Sequence, residues 1–300
     1  VNTQLQQPRT FADSLQFMLF TTLSHAQHQA TRALLKKSER EARREYLIEG
    51  EKLCREAHDH ALAAMRYAVV NAALIHNAPN AARLHPVCQL AEQLYARRVP
   101  VFQTSEQKFH QLCDAATPQG IVAVMAFPDE ALFQANVLQG LPVLVLDGVA
   151  DPGNVGTLIR TADWFGVQCV LLGGSSADRF HPKVLRSTMG SVFRCAVRSV
   201  SSLAKTLQSE FSAYRLYGAL LDGEEELWQT RFQEPFGVVL GSEAHGISPD
   251  VAALLAGRFR ISGAGSGAES LNVAVAGGIV LHQIHQLHHL KHVAATKRTA

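Results

Sequence analysis

Three clusters of polar residues, each following an apolar run, stand out in the second half of this 300-residue chain. After 143–146 comes Asp147-Gly148-Val149-Ala150-Asp151-Pro152-Gly153-Asn154-Val155-Gly156, with Arg160 four residues further on. After 236–240 comes Gly241-Ser242-Glu243-Ala244-His245-Gly246. After 259–261 a glycine-rich stretch leads to Glu269-Ser270-Leu271-Asn272. Glycine turns let backbone approach a ligand closely. The amides, hydroxyl and carboxylate supply hydrogen bonds and acid–base capacity, and Arg160 supplies a fixed positive charge. A guanidinium is a poor base but a good phosphate anchor. Each residue also has a plainer reading. Asn154 suits the N-cap of a helix beginning at Val155, and Arg160 suits an ion pair with Asp163 at i+3. Glu243 suits solvent or an arginine, His245 an idle surface position, and Asn272 a satisfied polar group in a helix's first turn. Gly156, one turn before Arg160, would leave open surface for the guanidinium to cross.

The third cluster also imitates a dinucleotide-binding fingerprint, because Gly263, Gly265 and Ala268 satisfy G-x-G-x-x-A between a strand and a helix. Its position excludes that reading: no further strand follows, and His288 and His289 stand where an acidic residue belongs. The histidines 282, 285, 288, 289 and 292 have i,i+4 pairs but no cysteine or carboxylate beside them, so no metal site is assigned. The five cysteines form an odd set without C-x-x-C, which points away from a disulfide framework or thiolate zinc and towards a reducing cytoplasm.

The elements that must position these clusters follow from hydrophobic pattern. Continuous apolar strands are expected at 143–146, 169–172, 192–197, 216–221, 236–240 and 259–261, with helices at 155–165, 182–188, 202–213, 249–256 and from 270. Such alternation predicts a parallel sheet covered on both faces, with chemistry in the loops at the strands' carboxyl ends. The first half reads as a smaller α/β unit: strands at 46–48, 67–70, 99–103 and 121–127, and helices at 51–64 and 86–96. The domain boundaries are 1–29, an extension with a helix across 11–23; 30–127; a linker at 128–141; and 142–300. Ser24-His25-Ala26 imitates a cleavage site, but Asp13 and Gln16 interrupt the preceding run. No apolar run reaches the ~20 residues of a membrane span. Net charge is only +2, so a nucleic-acid partner requires a local basic face. Arg32, Lys36, Lys37, Arg40, Arg43 and Arg44, with only Glu39 and Glu41 among them, form the densest such stretch.

Taken together, Asn154-x-Gly156-x-x-x-Arg160, Leu240-Gly241-Ser242-Glu243 with Gly246, and Ser270-Leu271-Asn272-Val273 resemble motifs 1, 2 and 3 of the SpoU (TrmH-like) RNA 2′-O-ribose methyltransferases, in family order. Tyr46-Leu47-Ile48-Glu49-Gly50 and Gln119-Gly120-Ile121-Val122-Ala123 are similar to the L30e-like substrate-binding domain of ribosomal RNA members. The resemblance implies an α/β fold whose C-terminal parallel-sheet (SPOUT) domain carries a trefoil knot, behind a smaller L30e-like domain. It implies a homodimer that transfers a methyl group from S-adenosylmethionine to a ribose 2′-OH of structured RNA, ribosomal RNA before transfer RNA. By motif position, Asn154, Arg160, Glu243, Ser270 and Asn272 fall at the reacting centre. Gly241, Ile261 and Leu271 fall at the cofactor, and the basic stretch from Arg32 to Arg44 becomes an RNA face. The third loop departs from the family pattern at Ser262 and Gly263 and carries one additional residue. That departure motivates an alternative, a knotted RNA-binding protein without turnover.

Overall fold

The computed structural model describes residues 20–76, 85–129, 140–264 and 267–298, with side chains up to residue 287. The extension before residue 20, most of the expected linker, Gly265, Ser266 and the side chains of His288, His289 and His292 lie outside the described residues. The chain divides after Ala126 into two units.

The first unit contains β1 (Thr21–Thr22), α1 (His25–Ala33), α2 (Lys37–Arg43), β2 (Glu45–Glu49), α3 (Glu51–His60) and β3 (Met65–Asn71). These are followed by α4 (Ala72–His76), α5 (Pro86–Ala96), β4 (Val101–Thr104), α6 (Glu106–His110) and β5 (Ile121–Ala126). The sheet order is β1-β4-β3-β5-β2, with β5 antiparallel to both its neighbours. Leu47, Val69, Val122 and Val124 point from the sheet into a core closed by Leu34, Phe109 and Leu112. The helix expected across 11–23 is not continued in its described part. Thr21 and Thr22, β-branched, pair with Phe102 and Gln103. Ser24 then starts α1 with a capping box to Gln27. The basic stretch is two helices. Arg40 is 2% exposed and gives its Nη1 to the carbonyls of Leu34 and Leu35 at 2.9 and 3.0 Å, which corrects its placement on an RNA face. Arg32, Lys36, Lys37, Arg43 and Arg44 are exposed.

The second unit contains β6 (Val143–Asp147), α7 (Pro152–Trp164), β7 (Cys169–Gly173), α8 (Pro182–Thr188), β8 (Ala196–Ser199) and α9 (Leu203–Glu210). After these come β9 (Arg215–Ala219), β10 (Glu225–Glu226), β11 (Phe236–Gly241), α10 (Pro249–Ala252), β12 (Leu255–Arg260) and α11 (Val273–Arg298). Its seven strands run β10-β12-β9-β11-β6-β7-β8, all parallel. The continuous apolar runs are explained by burial on both faces. Leu144, Leu146, Val238 and Leu240 enter one core, and Val143, Val145 and Val239 the other. Two expected elements shift most. Ser191–Phe193 is a 3-10 turn after Gly190, at φ 95°, so the strand expected at 192–197 begins only at Ala196. The helix expected to reach 256 ends at Ala252, because Leu255 already pairs with Leu216 in β12.

Candidate active site

Strands β6 and β11 lie side by side with Gly241 opposite Asp147, so the loops leaving both open at one edge of the sheet. Asp147 is 5% exposed, and its Oδ2 accepts from the Ser248 N–H at 2.7 Å, fastening the far end of the loop after β11 to β6. An acid closing an apolar strand was the only sequence signal for this contact. Within the loop, Ser242 and Gly246 exchange backbone hydrogen bonds of 3.0 and 2.8 Å. A Cβ on Gly241 would lie 2.2 Å from the Gly246 carbonyl carbon, so the turn admits only glycine there.

The first cluster starts its helix earlier than its apolar spacing suggests. Asp151, and not Asn154, is the N-cap of α7. Its Oδ1 accepts from the Asn154 N–H at 2.9 Å, and Pro152 occupies the first turn. Asn154 therefore sits inside the helix with its amide free to reach across the site. At the third cluster Asn272 caps α11, its Oδ1 accepting from the N–H groups of Ala274 and Val275 at 2.9 and 3.3 Å. With its oxygen engaged, Asn272 donates through Nδ2 to Asn154 Oδ1 at 3.1 Å. Asn154 in turn donates through Nδ2 to Glu243 Oε1 at 2.6 Å. Of the two ends of an amide only the oxygen accepts from helix N–H groups, so the direction of both amides is fixed and the line ends on a carboxylate acceptor. One residue from each cluster is thus joined in a single hydrogen-bonded line.

Beside that line lies a cavity of about 390 Å³. Gly241, Ile261 and Leu271 line it together with Leu240, Glu243 and Ser270. Leu221 and Asp222, at the end of β9, also reach it; neither was singled out in the sequence. The departing third loop is anchored at its start, where Glu226 Oε1 accepts from Ser262 Oγ and Arg260 Nε, both at 2.7 Å. The Ser262 hydroxyl and the Arg260 charge hold the Glu226 carboxyl below its usual range.

Arg160 is exposed, six residues along α7 from Asn154. The ion pair expected for it is absent: Asp163 pairs instead with Arg194 at 2.9 Å. Among the described residues no hydrogen bond or ion pair engages the Arg160 side chain. Glu243 likewise holds Asn154 and not an arginine. Gly156 does not open a surface for Arg160. It is buried, and a Cβ there would meet Ser187 Cβ at 2.5 Å and the Val184 carbonyl oxygen at 2.6 Å, so it permits close packing of α7 on α8. Gly277 plays the same part on α11, where a Cβ would meet Leu158 Cδ2 at 2.2 Å. Gly278 faces open space. His245 is exposed.

A model of the SpoU rRNA methylase family matches residues 142–282, and one of the MRM3-like substrate-binding domain matches 27–123. The chain is 35% identical over 188 residues to the 23S rRNA (guanosine(2553)-2′-O)-methyltransferase RlmP of Bacillus subtilis, covering 62% of this chain and 73% of that protein. The chain belongs to the SpoU methylase family. Solved methyltransferase structures carry the same fold. The AdoMet-bound rRNA methyltransferase from Sinorhizobium meliloti is 28% identical with a TM-score of 0.72, covering 89% of this chain and 97% of that one. The SpoU methyltransferase AviRb from Streptomyces viridochromogenes, in complex with the cofactor AdoMet, is 25% identical with a TM-score of 0.75, covering 88% and 98%. Membership gives the three clusters a common setting, since all fall within the matched SpoU methylase region. The relatives are named as methyltransferases, which does not support the alternative of an RNA-binding protein without turnover.

Proposed function

We propose that this protein methylates a ribose 2′-OH in ribosomal RNA, using S-adenosylmethionine as donor. The observation that carries the reading is the line Asn272–Asn154–Glu243 beside the cavity, which joins all three motifs at one sheet edge. The cavity fits the donor: its size is that of a small-molecule site, its walls include Leu240, Ile261 and Leu271, and the Glu243 carboxylate suits a cation. The donor, when bound, supplies an electrophilic methyl group on a sulfonium.

The protein's task is then alignment and removal of one proton. Arg160, exposed and unengaged among the described residues, is the charge assigned to hold the phosphate beside the target ribose and so make the hydroxyl more acidic. The Asn154 amide is committed to Glu243 and Asn272, so it does not assist Arg160 as a base, and the proton leaves by way of the held phosphate to water. Ser270, exposed and lining the cavity, is the hydroxyl left to orient the nucleophile. Asn272 acts one step back, by holding Asn154.

Three further readings belong to this proposal. Trp164 on α7 is 81% exposed, and Val275 and Ile279 on α11 are 53% and 40% exposed, an apolar surface that suits a homodimer. Loops from β9, β11 and β12 meeting at one cavity suit the knotted topology of the family. Ribosomal RNA as substrate suits the cytoplasm, and among the described residues no helix is long and apolar enough to cross a membrane. The RNA face of the first unit comprises Arg32, Lys36, Lys37, Arg43 and Arg44. The test is transfer of tritiated methyl from S-adenosylmethionine to unmodified ribosomal RNA transcripts, with the product mapped as an alkali-resistant linkage. Donor binding without transfer to any ribosomal RNA would sink the reading.

A further inference from the structure

The line that holds Asn154 has an anchor outside the three motifs. Asp151 uses one oxygen to accept from the Asn154 N–H, and its Oδ2 accepts from Lys183 Nζ at 3.1 Å. Lys183 stands in the first turn of α8, which His181 caps by accepting the Lys183 N–H on Nδ1 at 3.1 Å. Gly153 makes room for the pair: a Cβ there would fall 2.8 Å from Asp151 Oδ1 and 3.4 Å from Lys183 Cε. The Asn154 N–H and then the Lys183 ammonium hold the Asp151 carboxyl below its usual range. Side chains 51% and 47% exposed make an ion pair of little value to stability. Its value lies in what it orients. A capping carboxylate has several free N–H groups within reach at a helix start, and a second, charged partner selects one arrangement.

We propose that Lys183 and Asp151 are positioning residues, a clamp that fixes the first turn of α7 and thereby keeps the Asn154 amide between Glu243 and Asn272. The clamp rests on the methyl-transfer reading for its effect on rate, but not for its effect on the backbone. The rival role for Lys183 is a direct phosphate contact with RNA.

The experiment compares Lys183→Met, Lys183→Arg, Asp151→Asn and the Lys183→Met/Asp151→Asn double variant with the parent, in full-length protein. Turnover on unmodified ribosomal RNA transcripts, KM for that RNA, the salt dependence of RNA binding, and hydrogen exchange at the Asn154 amide are measured. Lys183→Met and Asp151→Asn are each expected to lower kcat about tenfold, with KM for RNA unchanged. Exchange at Asn154 should quicken, Lys183→Arg should recover most of the rate, and the double variant should be no slower than Asp151→Asn. Unchanged exchange and kcat in Lys183→Met would overturn the clamp. So would a raised KM with a salt slope shallower by about 0.7 to 0.9, which would make Lys183 a phosphate contact. If Asp151→Asn does not fold, Lys183→Met, a surface substitution, decides alone. If the parent itself methylates no RNA, the proposed function fails, while hydrogen exchange still tests the clamp.

Discussion

In the first unit, Arg40 is buried and spends its guanidinium on the carbonyls of Leu34 and Leu35; in the second, Arg160 is exposed and meets no partner among the described residues. The two arginines look alike in sequence, each on a helix and each near acidic residues. Their surroundings separate them. At Arg40 the chain breaks between α1 and α2, leaving carbonyls that require a donor, and burial of the charge is tolerated because those bonds are made. At Arg160 the neighbouring acid is taken by Arg194, which leaves a guanidinium for something outside the chain. Density of charge therefore locates a helix, and does not tell which guanidinium the fold leaves unengaged.

The contrast breaks most visibly at the arginines themselves. Arg160→Ala should lower turnover by about two to three orders of magnitude, with S-adenosylmethionine affinity by calorimetry unchanged. Arg40→Ala should leave the turnover of folded protein intact and cost about 2 kcal/mol in denaturant unfolding, from lost charge-assisted bonds. Equal rates for Arg160→Ala and parent would put the two arginines in one class after all.

Glycines sharpen the comparison next. Gly241→Ala forces a Cβ against backbone at 2.2 Å and should weaken donor binding at least tenfold, by about 1.4 kcal/mol. Gly278→Ala meets nothing within 4 Å and should stabilise α11 by up to about 1 kcal/mol in thermal unfolding. A fall in dimer affinity in this variant, read by sedimentation, would place Gly278 at the interface.

A smaller effect is expected from the remaining cations of the first unit. Neutralising Arg32, Lys36, Lys37, Arg43 and Arg44 together should reduce the slope of log RNA affinity against log salt by about 0.7 to 0.9 for each true phosphate contact. Lys37 pairs with Glu41 at 3.7 Å and Arg43 with Glu39 at 3.1 Å, so the total should fall short of five contacts. An unchanged slope would mean that the second unit alone grips RNA. The least change is expected at the thiols. Burial pushes Cys195 up to about 12 and raises Cys54 and Cys169 as well, so iodoacetamide at pH 8 should label these three only after unfolding.

Much of this was legible in the chain. The strands β6, β7 and β11 announced themselves because burial on both faces leaves no polar position to obscure them. The three motif clusters were legible because glycines and polar residues interrupt those runs at the strand ends. The start of α7 was misplaced although Asp151-Pro152 carried the signal, since apolar spacing began only at Val155 and outweighed it. The bond from Asn154 to Glu243 spans 89 residues and that from Asn272 spans 118, so no local pattern records them. The burial of Arg40 was hidden for a different reason: its partners Leu34 and Leu35 are only six and five residues away, but the contact depends on how α1 and α2 turn, not on the charges between them.

The line from Asn272 to Glu243 has an electrical sense. A helix as long as α11, 26 residues, carries about half a positive charge at its amino end. Asn272 receives that end on its oxygen, passes a donor to Asn154, and Asn154 passes a donor to Glu243, so two amide dipoles stand head to tail between the helix and the carboxylate. Glu243, on the wall of the cavity, is thereby backed by the positive end of α11 through two side chains that never ionise. The pocket can meet a cationic donor with a negative wall, and after the methyl group has left and the donor has become neutral, the same wall has less to hold.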